Sequence, residues 1–475
     1  MLKSICLGLV LVAGFPAWSQ SPSSTDTQQT TPSTDTSQST DTSQATDASQ
    51  ATDTSQTPSG TETPMELPPP VTGQSYPSQV GSDVHHNYLN LGITGSGGYI
   101  NNVLVGYSTT TATSVFTLAP LVSYNKKTAR TNAEFDYDPQ FTFYTQVSEL
   151  NEIDENASGS YQYRITPHFV YRMQDSFTKS SSVFGLPTAA LGGTVSGSLP
   201  IELGGLVASF ADRISNTASV DLGLQTSENT LIGASGSFAE LDYPTAAQVP
   251  GLINSNSIGA SGFYTHRVTE HQYLGFTYQY LQILSYLPNA EGEAALNTFT
   301  PFYSFYLVRT KQGNLTASVQ GGLEHSSFII RGGPLVEQWT PVVTSSIGWQ
   351  GPVTNFAVGY TRSVSGGGGL NGLYGQYSLS GTAQVKIARE WGVSAGANYS
   401  DLSNDSTRYL SVTTGGHTII GTATAGRSLG RSARFEVGYN HIHESYPGIS
   451  AITDNPDSNR IYGSVSYLFK RPVGR

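Results

Sequence analysis

The stretch that decides the fold is LYGQYSLSGTAQVKI, residues 373–387. Its odd-numbered positions carry leucine, valine, isoleucine, alanine, glycine and tyrosine, whereas its even-numbered positions are mostly serine, threonine, glutamine and lysine. A period of two indicates a β-strand whose two faces meet different surroundings. This alternation continues without a slip through all 15 residues, which is long for a soluble strand and suits a tilted strand that crosses a membrane.

The same alternation recurs along the chain from about residue 88. Trp391, Val393 and Tyr399 share one face of another segment, and the last alternating segment ends on Tyr467 and Phe469. Aromatic residues near segment ends are typical of the girdles that membrane barrels place at the lipid–water boundary. A final strand with aromatic residues at its end resembles the signal that the outer-membrane barrel assembly machinery recognises. We therefore predict that this machinery is a partner and that Tyr467 and Phe469 belong to its signal.

The connections between these segments alternate in length. Short turns are predicted near 125–129, 165–167, 226–229, 267–270, 309–313, 350–353, 386–390 and 427–431. Long polar or glycine-rich links are predicted near 139–157, 179–214, 240–256, 284–296, 324–339, 363–372, 402–416 and 443–458. Short turns at one rim and long links at the other are typical of outer-membrane barrels. With an opening strand near 88–95 and a closing strand at 460–469, we predict an all-β fold, a transmembrane antiparallel β-barrel of about 18 strands, with 16 as the alternative.

The composition favours a barrel over a large soluble domain. Only 12% of the residues are charged, about half the usual share in globular proteins, and the chain contains 51 glycines and 27 tyrosines. A soluble domain covers its surface with charge, whereas a barrel in lipid has an apolar outer face. No run of about 18 apolar residues follows the amino-terminal segment, so no helical span is predicted. The net charge of −11 argues against a nucleic-acid partner.

The first 75 residues are predicted to lie outside the barrel. A positive start, an apolar segment and small residues before Gln20 form a secretory signal peptide, residues 1–19. Residues 20–75 are rich in Ser, Thr, Asp, Gln and Pro and repeat a six-residue unit, so we predict a disordered periplasmic tail. The barrel is then assigned to residues 76–475. The only cysteine, Cys6, lies in the signal peptide, so the mature chain has no thiol for a disulfide or a thiolate metal site.

Several charged residues alternate with apolar neighbours and are predicted to face the lumen. They are Glu134, Asp136, Arg164, Arg172, Asp221, Arg434, Glu436 and Arg460. Rings of charge on an inner wall set ion or solute preference in many channels. The alternative is that these residues form cross-strand pairs that stabilise the wall.

Other motifs give weaker signals for chemistry. His441 and His443 are two residues apart and share one face at a strand end, which is a possible start of a metal site. Because no third ligand stands at a recognisable spacing, we predict a solvated rim and no metal or other cofactor. The sequence has no Gly-x-Ser-x-Gly elbow and no signature of the outer-membrane protease or phospholipase families, so no catalytic residue and no enzyme activity are predicted.

Residues 88–180 resemble a group of outer-membrane barrels often found near exopolysaccharide-export and PEP-CTERM systems. The resembling segments are YINNV at 99–103, LAPLVSY at 118–124, FDYDPQF at 135–141, YRITPH at 163–168 and DSF at 175–177. In the first segment Asn101 stands where the family motif has aspartate. The resemblance implies a type of barrel rather than a substrate, and it brings no catalytic residues with it.

Three functions remain open from the sequence. The leading one is a pore for hydrophilic solutes, because barrels of 16–18 strands leave an aqueous lumen. The second is an exit channel for an exported polysaccharide, in which the inward residues Tyr374 and Tyr462 would stack on sugar rings. The third is a surface structural or adhesive protein. Outer-membrane lipids are predicted partners in each case, and the glycine-containing link 179–214 is the candidate for a plug of the lumen.

Overall fold

A computed structural model of the protein describes most of the chain from Tyr88 onward. The described residues are 88–105, 109–181, 212–244, 252–287, 290–330, 332–366, 369, 372–403, 415–430, 432–446 and 456–472. The predicted signal peptide and tail lie outside them. Across the described ranges, no helix is long and apolar enough to cross a membrane.

The described residues form a single sheet of 18 strands. The strands are β1 (Tyr88–Ile100), β2 (Thr113–Lys127), β3 (Thr131–Tyr144), β4 (Glu152–Thr166), β5 (Phe169–Ser180), β6 (Arg213–Ser227), β7 (Thr230–Asp242), β8 (Asn254–Thr269), β9 (Gln272–Leu287), β10 (Ala290–Thr310), β11 (Gly313–Ile330), β12 (Val336–Gln350), β13 (Thr354–Ser365), β14 (Tyr374–Lys386), β15 (Trp391–Ser403), β16 (Gly416–Leu429), β17 (Ala433–Ser445) and β18 (Asp457–Pro472).

Each strand pairs antiparallel with its neighbours in the sequence, and the sheet closes on itself. The first strand pairs with β2 on one side and with β18 on the other, so that Tyr88 lies opposite Pro472 and Ile100 lies opposite Arg460. This ring leaves no free edge, and closure satisfies the backbone polar groups that a bilayer cannot. The prediction of an 18-stranded antiparallel β-barrel is confirmed. The opening strand is longer than predicted and runs to Ile100.

The two faces of the strands separate as the alternation predicts. Leu379 of β14 is 50% exposed on the outside, and the large outward side chains of β18 (Ile461, Val465, Tyr467 and Phe469) are exposed to a similar degree. Comparable leucine, isoleucine, valine, phenylalanine and tyrosine side chains are exposed on the other strands. Soluble monomers rarely expose continuous apolar surface of this extent, whereas the outer band of a membrane barrel requires it.

The two rims of the barrel differ. The short-turn end has links of two to four residues, at 128–130, 167–168, 228–229, 270–271, 311–312, 351–353, 387–390 and 430–432. All eight predicted short turns are confirmed. The start of β1 and the end of β18 also lie at this short-turn end, because Tyr88 pairs with both Asn125 and Pro472. The opposite rim is the long-link end.

Three of the predicted long links are wrong in extent. Between β11 and β12 only residues 331–335 lie outside the strands, so most of the predicted link 324–339 is strand. Between β3 and β4 the link covers only residues 145–151 and contains a 3-10 turn, Ser148–Leu150. Between β9 and β10 only residues 288 and 289 lie outside the strands, so the predicted link 284–296 is mostly strand. Beyond the lipid band both faces of a strand contact water or protein. Polar residues such as Glu291 and Glu293 therefore occupy outward positions, and the alternation of polar and apolar residues is lost. The backbone pairing of β9 with β10 continues through this stretch.

Candidate functional site in the barrel lumen

The inner wall carries two adjacent rows of polar side chains, one from β3 to β7 and the other from β3 to β6, with one residue from each strand. In the first row, register places Glu134, Ser160, Gln174, Ser219 and Ser237 side by side. In the second row, register places Asp136, Ser158, Ser176 and Thr217 side by side. Because each strand contributes residues of one parity, both rows face the lumen.

These two rows line a cavity of about 300 Å³, which Ser257 and Leu281 also border. This volume is at the lower end for small-molecule binding sites. Serine and threonine hydroxyls can donate and accept hydrogen bonds, whereas ionised carboxylates only accept them. The cavity therefore suits a small solute that carries hydroxyl or amine groups.

The acidic end of the cavity belongs to one strand. Glu134, Asp136 and Asp138 alternate along the inner face of β3, and Glu134 Oε1 accepts a hydrogen bond of 2.6 Å from Asn125 Nδ2. Their register partners on β4 are Ser160, Ser158 and Asn156, which are uncharged. Three carboxylates on a wall segment with neutral neighbours create a negative potential that attracts cations.

A second pair of predicted lumen charges lies next to the first polar row, outside the cavity lining. Arg172 of β5 and Asp221 of β6 lie directly opposite each other. Each is two residues from a member of the first polar row, Gln174 and Ser219 respectively, on the same face. Their opposite charges offset each other, so they add little to the net field of the lumen.

Two further predicted residues form an ion pair elsewhere on the wall. Arg434 Nη2 lies 2.9 Å from Glu436 Oε2, both on the inner face of β17. Tyr462 of β18 donates a hydrogen bond of 3.4 Å to the other carboxylate oxygen of Glu436. The ion pair therefore runs along one strand, and only the hydrogen bond from Tyr462 crosses to the neighbouring strand.

The last two predicted residues lie at opposite ends of the barrel. Arg164 is exposed near the short-turn end. Arg460 is buried near the long-link end, where its guanidinium lies 5.2 Å from the centre of the Tyr462 ring. The eight predicted residues therefore do not form one site, and their role in solute preference stays a prediction.

An apolar patch on the inner wall was not predicted from the sequence. Its members are buried and pack together: Leu281, Ile283, Ala294, Leu296, Phe328, Val364 and Leu373. The patch lies beside the two polar rows, with β8 between them. Gly259 of β8 lies opposite Leu281, and Ser257 lies opposite Ile283. The signal was present in β9, where Leu281 and Ile283 occupy inward positions while Tyr280 lies on the exposed outer face. The inner wall thus has polar rows that begin on β3 and an apolar patch that begins on β9.

Two links meet above the lumen at the long-link end. The backbone N–H of Ile253, after β7, donates a hydrogen bond of 2.8 Å to the carbonyl oxygen of Gly369, after β13. These strands are six apart in the ring of 18, so the contact bridges separate parts of the wall. The ring of Tyr243 packs against Gly369 so closely that a β-carbon there would lie 2.6 Å from it.

A third link contributes a buried tyrosine to this bridge. Tyr446, which follows β17, is 1% exposed, and its hydroxyl lies 3.0 Å from Thr418 Oγ1. Burial raises the pKa of both Tyr243 and Tyr446, and the negative charge of Glu444 raises them further. Both tyrosines are therefore neutral hydroxyls at physiological pH. The links after β7 and β13 are thus in contact at the long-link end. Most of the predicted plug, residues 182–211, lies outside the described residues.

Solved structures of outer-membrane proteins align with most of the chain. OpdK of Pseudomonas aeruginosa matches with a TM-score of 0.40 and 12% identity, over 81% of this chain and 99% of its own. OprD of the same bacterium matches with a TM-score of 0.39 and 10% identity, over 81% and 94%. OccAB4 of Acinetobacter baumannii matches with a TM-score of 0.39 and 10% identity, over 82% and 100%.

These likenesses are too distant to assign a family or a function. No family model and no curated protein matches the chain. The resemblance of residues 88–180 to exopolysaccharide-associated barrels finds no support in these comparisons. The fold itself defines the class: a closed transmembrane β-barrel of 18 strands with a polar half-wall around a lumenal cavity.

Proposed function

We propose that this chain is an outer-membrane pore through which small hydrophilic solutes pass. The observation that carries the proposal is the closed ring of 18 strands, which has apolar side chains outside and serine-rich rows inside. A ring of this size is too wide for its own side chains to fill, so water enters. The bridge of links at the mouth limits the size of the solute.

The proposed orientation places the short-turn end in the periplasm. Barrels of the outer membrane have short periplasmic turns and longer extracellular loops. Because β1 starts at the short-turn end, the amino-terminal tail would enter the periplasm. The final strand, with Tyr467 and Phe469 on its exposed face, would be the segment that the assembly machinery recognises.

The test is solute uptake into liposomes that contain the purified, folded protein. Small sugars and amino acids should enter and cause swelling, and uptake should fall steeply with solute size because the mouth is narrowed. Equal exclusion of all solutes, by protein that runs as a heat-modifiable barrel on gels, would contradict the proposal.

The polysaccharide channel is the alternative, but two observations on the inner wall disfavour it. Tyr374 is 1% exposed and offers no open ring face. The ring of Tyr462 is already covered by the Arg460 guanidinium at 5.2 Å. Deletion of the gene distinguishes the two functions: loss of surface polysaccharide would favour the channel for an exported polymer, and its retention would favour the solute pore.

A further inference from the structure

Three histidines and an aspartate lie together on the outer face of the barrel, at the long-link end. His417 belongs to β16, His441 and His443 to β17, and Asp457 to the first position of β18. Register places His443 directly opposite Asp457. No third ligand stands at a recognisable spacing from the two histidines of β17 in the sequence. The next strand supplies one in the fold, Asp457.

This cluster lies at the edge of the apolar band. One step further along the same outer faces stand the exposed residues Ile419 and Tyr439. Asp457 itself is 57% exposed at its side chain, and the side chains of His441 and His443 are partly exposed. The cluster is therefore within reach of ions from the aqueous side, at the height where lipid headgroups begin.

Two ligand-to-ligand distances in the cluster are within about 0.6 Å of those in a zinc site. His443 Nδ1 lies 2.9 Å from Asp457 Oδ1, and His441 Nε2 lies 3.9 Å from the same oxygen. In a tetrahedral site with bonds of about 2.0 to 2.1 Å, neighbouring ligand atoms are about 3.3 Å apart. To bind zinc, the distance from His443 to Asp457 must lengthen and the distance from His441 to Asp457 must shorten, each by about half an ångström. Rotation of the exposed Asp457 side chain permits both changes.

A hydrogen bond fixes the tautomer that such a site needs. His441 Nδ1 lies 3.0 Å from Asn459 Oδ1, and an amide oxygen can only accept. In the neutral ring, Nδ1 therefore carries the proton and Nε2 presents its lone pair towards Asp457. Metal-binding histidines are usually oriented by a bond of this kind on the other ring nitrogen.

We propose that His441, His443 and Asp457 bind a divalent transition-metal ion of the zinc type at the outer rim of the barrel. In the described residues no group of three His, Cys, Asp or Glu side chains is already arranged to hold a metal ion. His443 and Asp457 are in direct contact with each other, and a metal would take the place of the shared proton and release it. Imidazole ligands favour zinc, nickel and copper over magnesium and calcium.

The neighbouring imidazole of His417 supports the site from the side. Its ring stacks on that of His443, with 5.2 Å between the centres and 23° between the planes. This contact restricts the rotation of His443 and leaves the fourth coordination position to water or to an anionic group from the solvent.

The experiment uses the full chain, folded in detergent and purified without a polyhistidine tag. Calorimetric titration with Zn²⁺ should give one ion per chain, and Co²⁺ should give the strong visible absorption of a tetrahedral site. His443→Ala and Asp457→Asn should each weaken Zn²⁺ binding at least about tenfold. The matched control is His325→Ala, which removes another outward histidine. His325 contacts Trp339 of the neighbouring strand β12, and both strands are separate from those that carry the proposed site.

Absence of saturable Zn²⁺ binding would overturn the proposal, as would equal weakening by the control. Effective competition by Mg²⁺ would also overturn it, since it would indicate binding to surface carboxylates. If His443→Ala fails to give a heat-modifiable barrel, Asp457→Asn decides the matter, because it keeps the shape of the side chain and a hydrogen-bond acceptor.

Discussion

Three carboxylates on the inner face of β3 set the charge of the lumen. Glu134 and Asp136 border the cavity, and Asp138 follows on the same face with neutral neighbours on β4. The other predicted charges have a different setting, since Arg172 lies opposite Asp221 and Arg434 is paired with Glu436. A passing ion therefore meets a negative electrostatic potential on the β3 side of the lumen.

The double substitution Glu134→Gln with Asp136→Asn should lower the preference of the pore for cations. One unit charge at 10 Å in water contributes about 0.4 kcal/mol, so removing two should lower cation permeability and raise anion permeability by about fourfold each at low salt. The cation-to-anion permeability ratio should then fall about 16-fold at low salt and less at high salt, where the charges are screened. The measurement is the reversal potential across a bilayer in a salt gradient. Glu293→Gln with Glu337→Gln, which removes two exposed outer carboxylates, is the control and should leave the potential unchanged. An equal shift in both variants would contradict the lumenal role.

The strands act as two-faced elements, and β14 offers adjacent positions with opposite surroundings. Leu379→Arg places a charge in the lipid band and should lower the free energy of unfolding by about 2 to 4 kcal/mol. Ser380→Arg places the same charge in the aqueous lumen and should change that free energy little. Denaturant unfolding in lipid vesicles measures both. Equal destabilisation by the two variants would show that the faces are assigned wrongly.

The links act as a second kind of element, because the links after β7 and β13 contact each other at the long-link end. Gly369 has a positive φ of 110° and packs against Tyr243, whereas Gly332 has a φ of 85° with open space around it. Gly369→Val should push the two links apart and raise the single-channel conductance. Gly332→Val carries a similar backbone strain and should not. The same conductance in both variants would contradict a bridge at the mouth.

The sequence predicted the strands better than the links, and the reason is physical. Residues 373–387 alternate because lipid and water select opposite side chains at every step, and β14 matches them within one residue at each end. Beyond the lipid band this selection ends, so β9 and β10 continue through a stretch that was predicted as a link. The contact of Ile253 with Gly369 left no trace in the sequence, since links on strands six apart share no local pattern.

In the whole molecule, the closed ring of 18 strands places the cavity, the apolar patch and the links around one lumen. The cavity residues that were predicted, Glu134 and Asp136, followed from parity alone. The apolar patch of the lumen did not, because Leu281 and Ile283 stand next to apolar residues of the outer face and blur the alternation. A lumen with polar rows and an apolar patch should pass solutes that carry both kinds of surface.

The most direct test of the water-filled lumen is the conductance of the purified, folded protein in a planar lipid bilayer. Insertion of single molecules should give discrete, reproducible current steps that scale with the concentration of salt. Folded protein that inserts into the bilayer and leaves its resistance at the level of bare lipid would contradict the account.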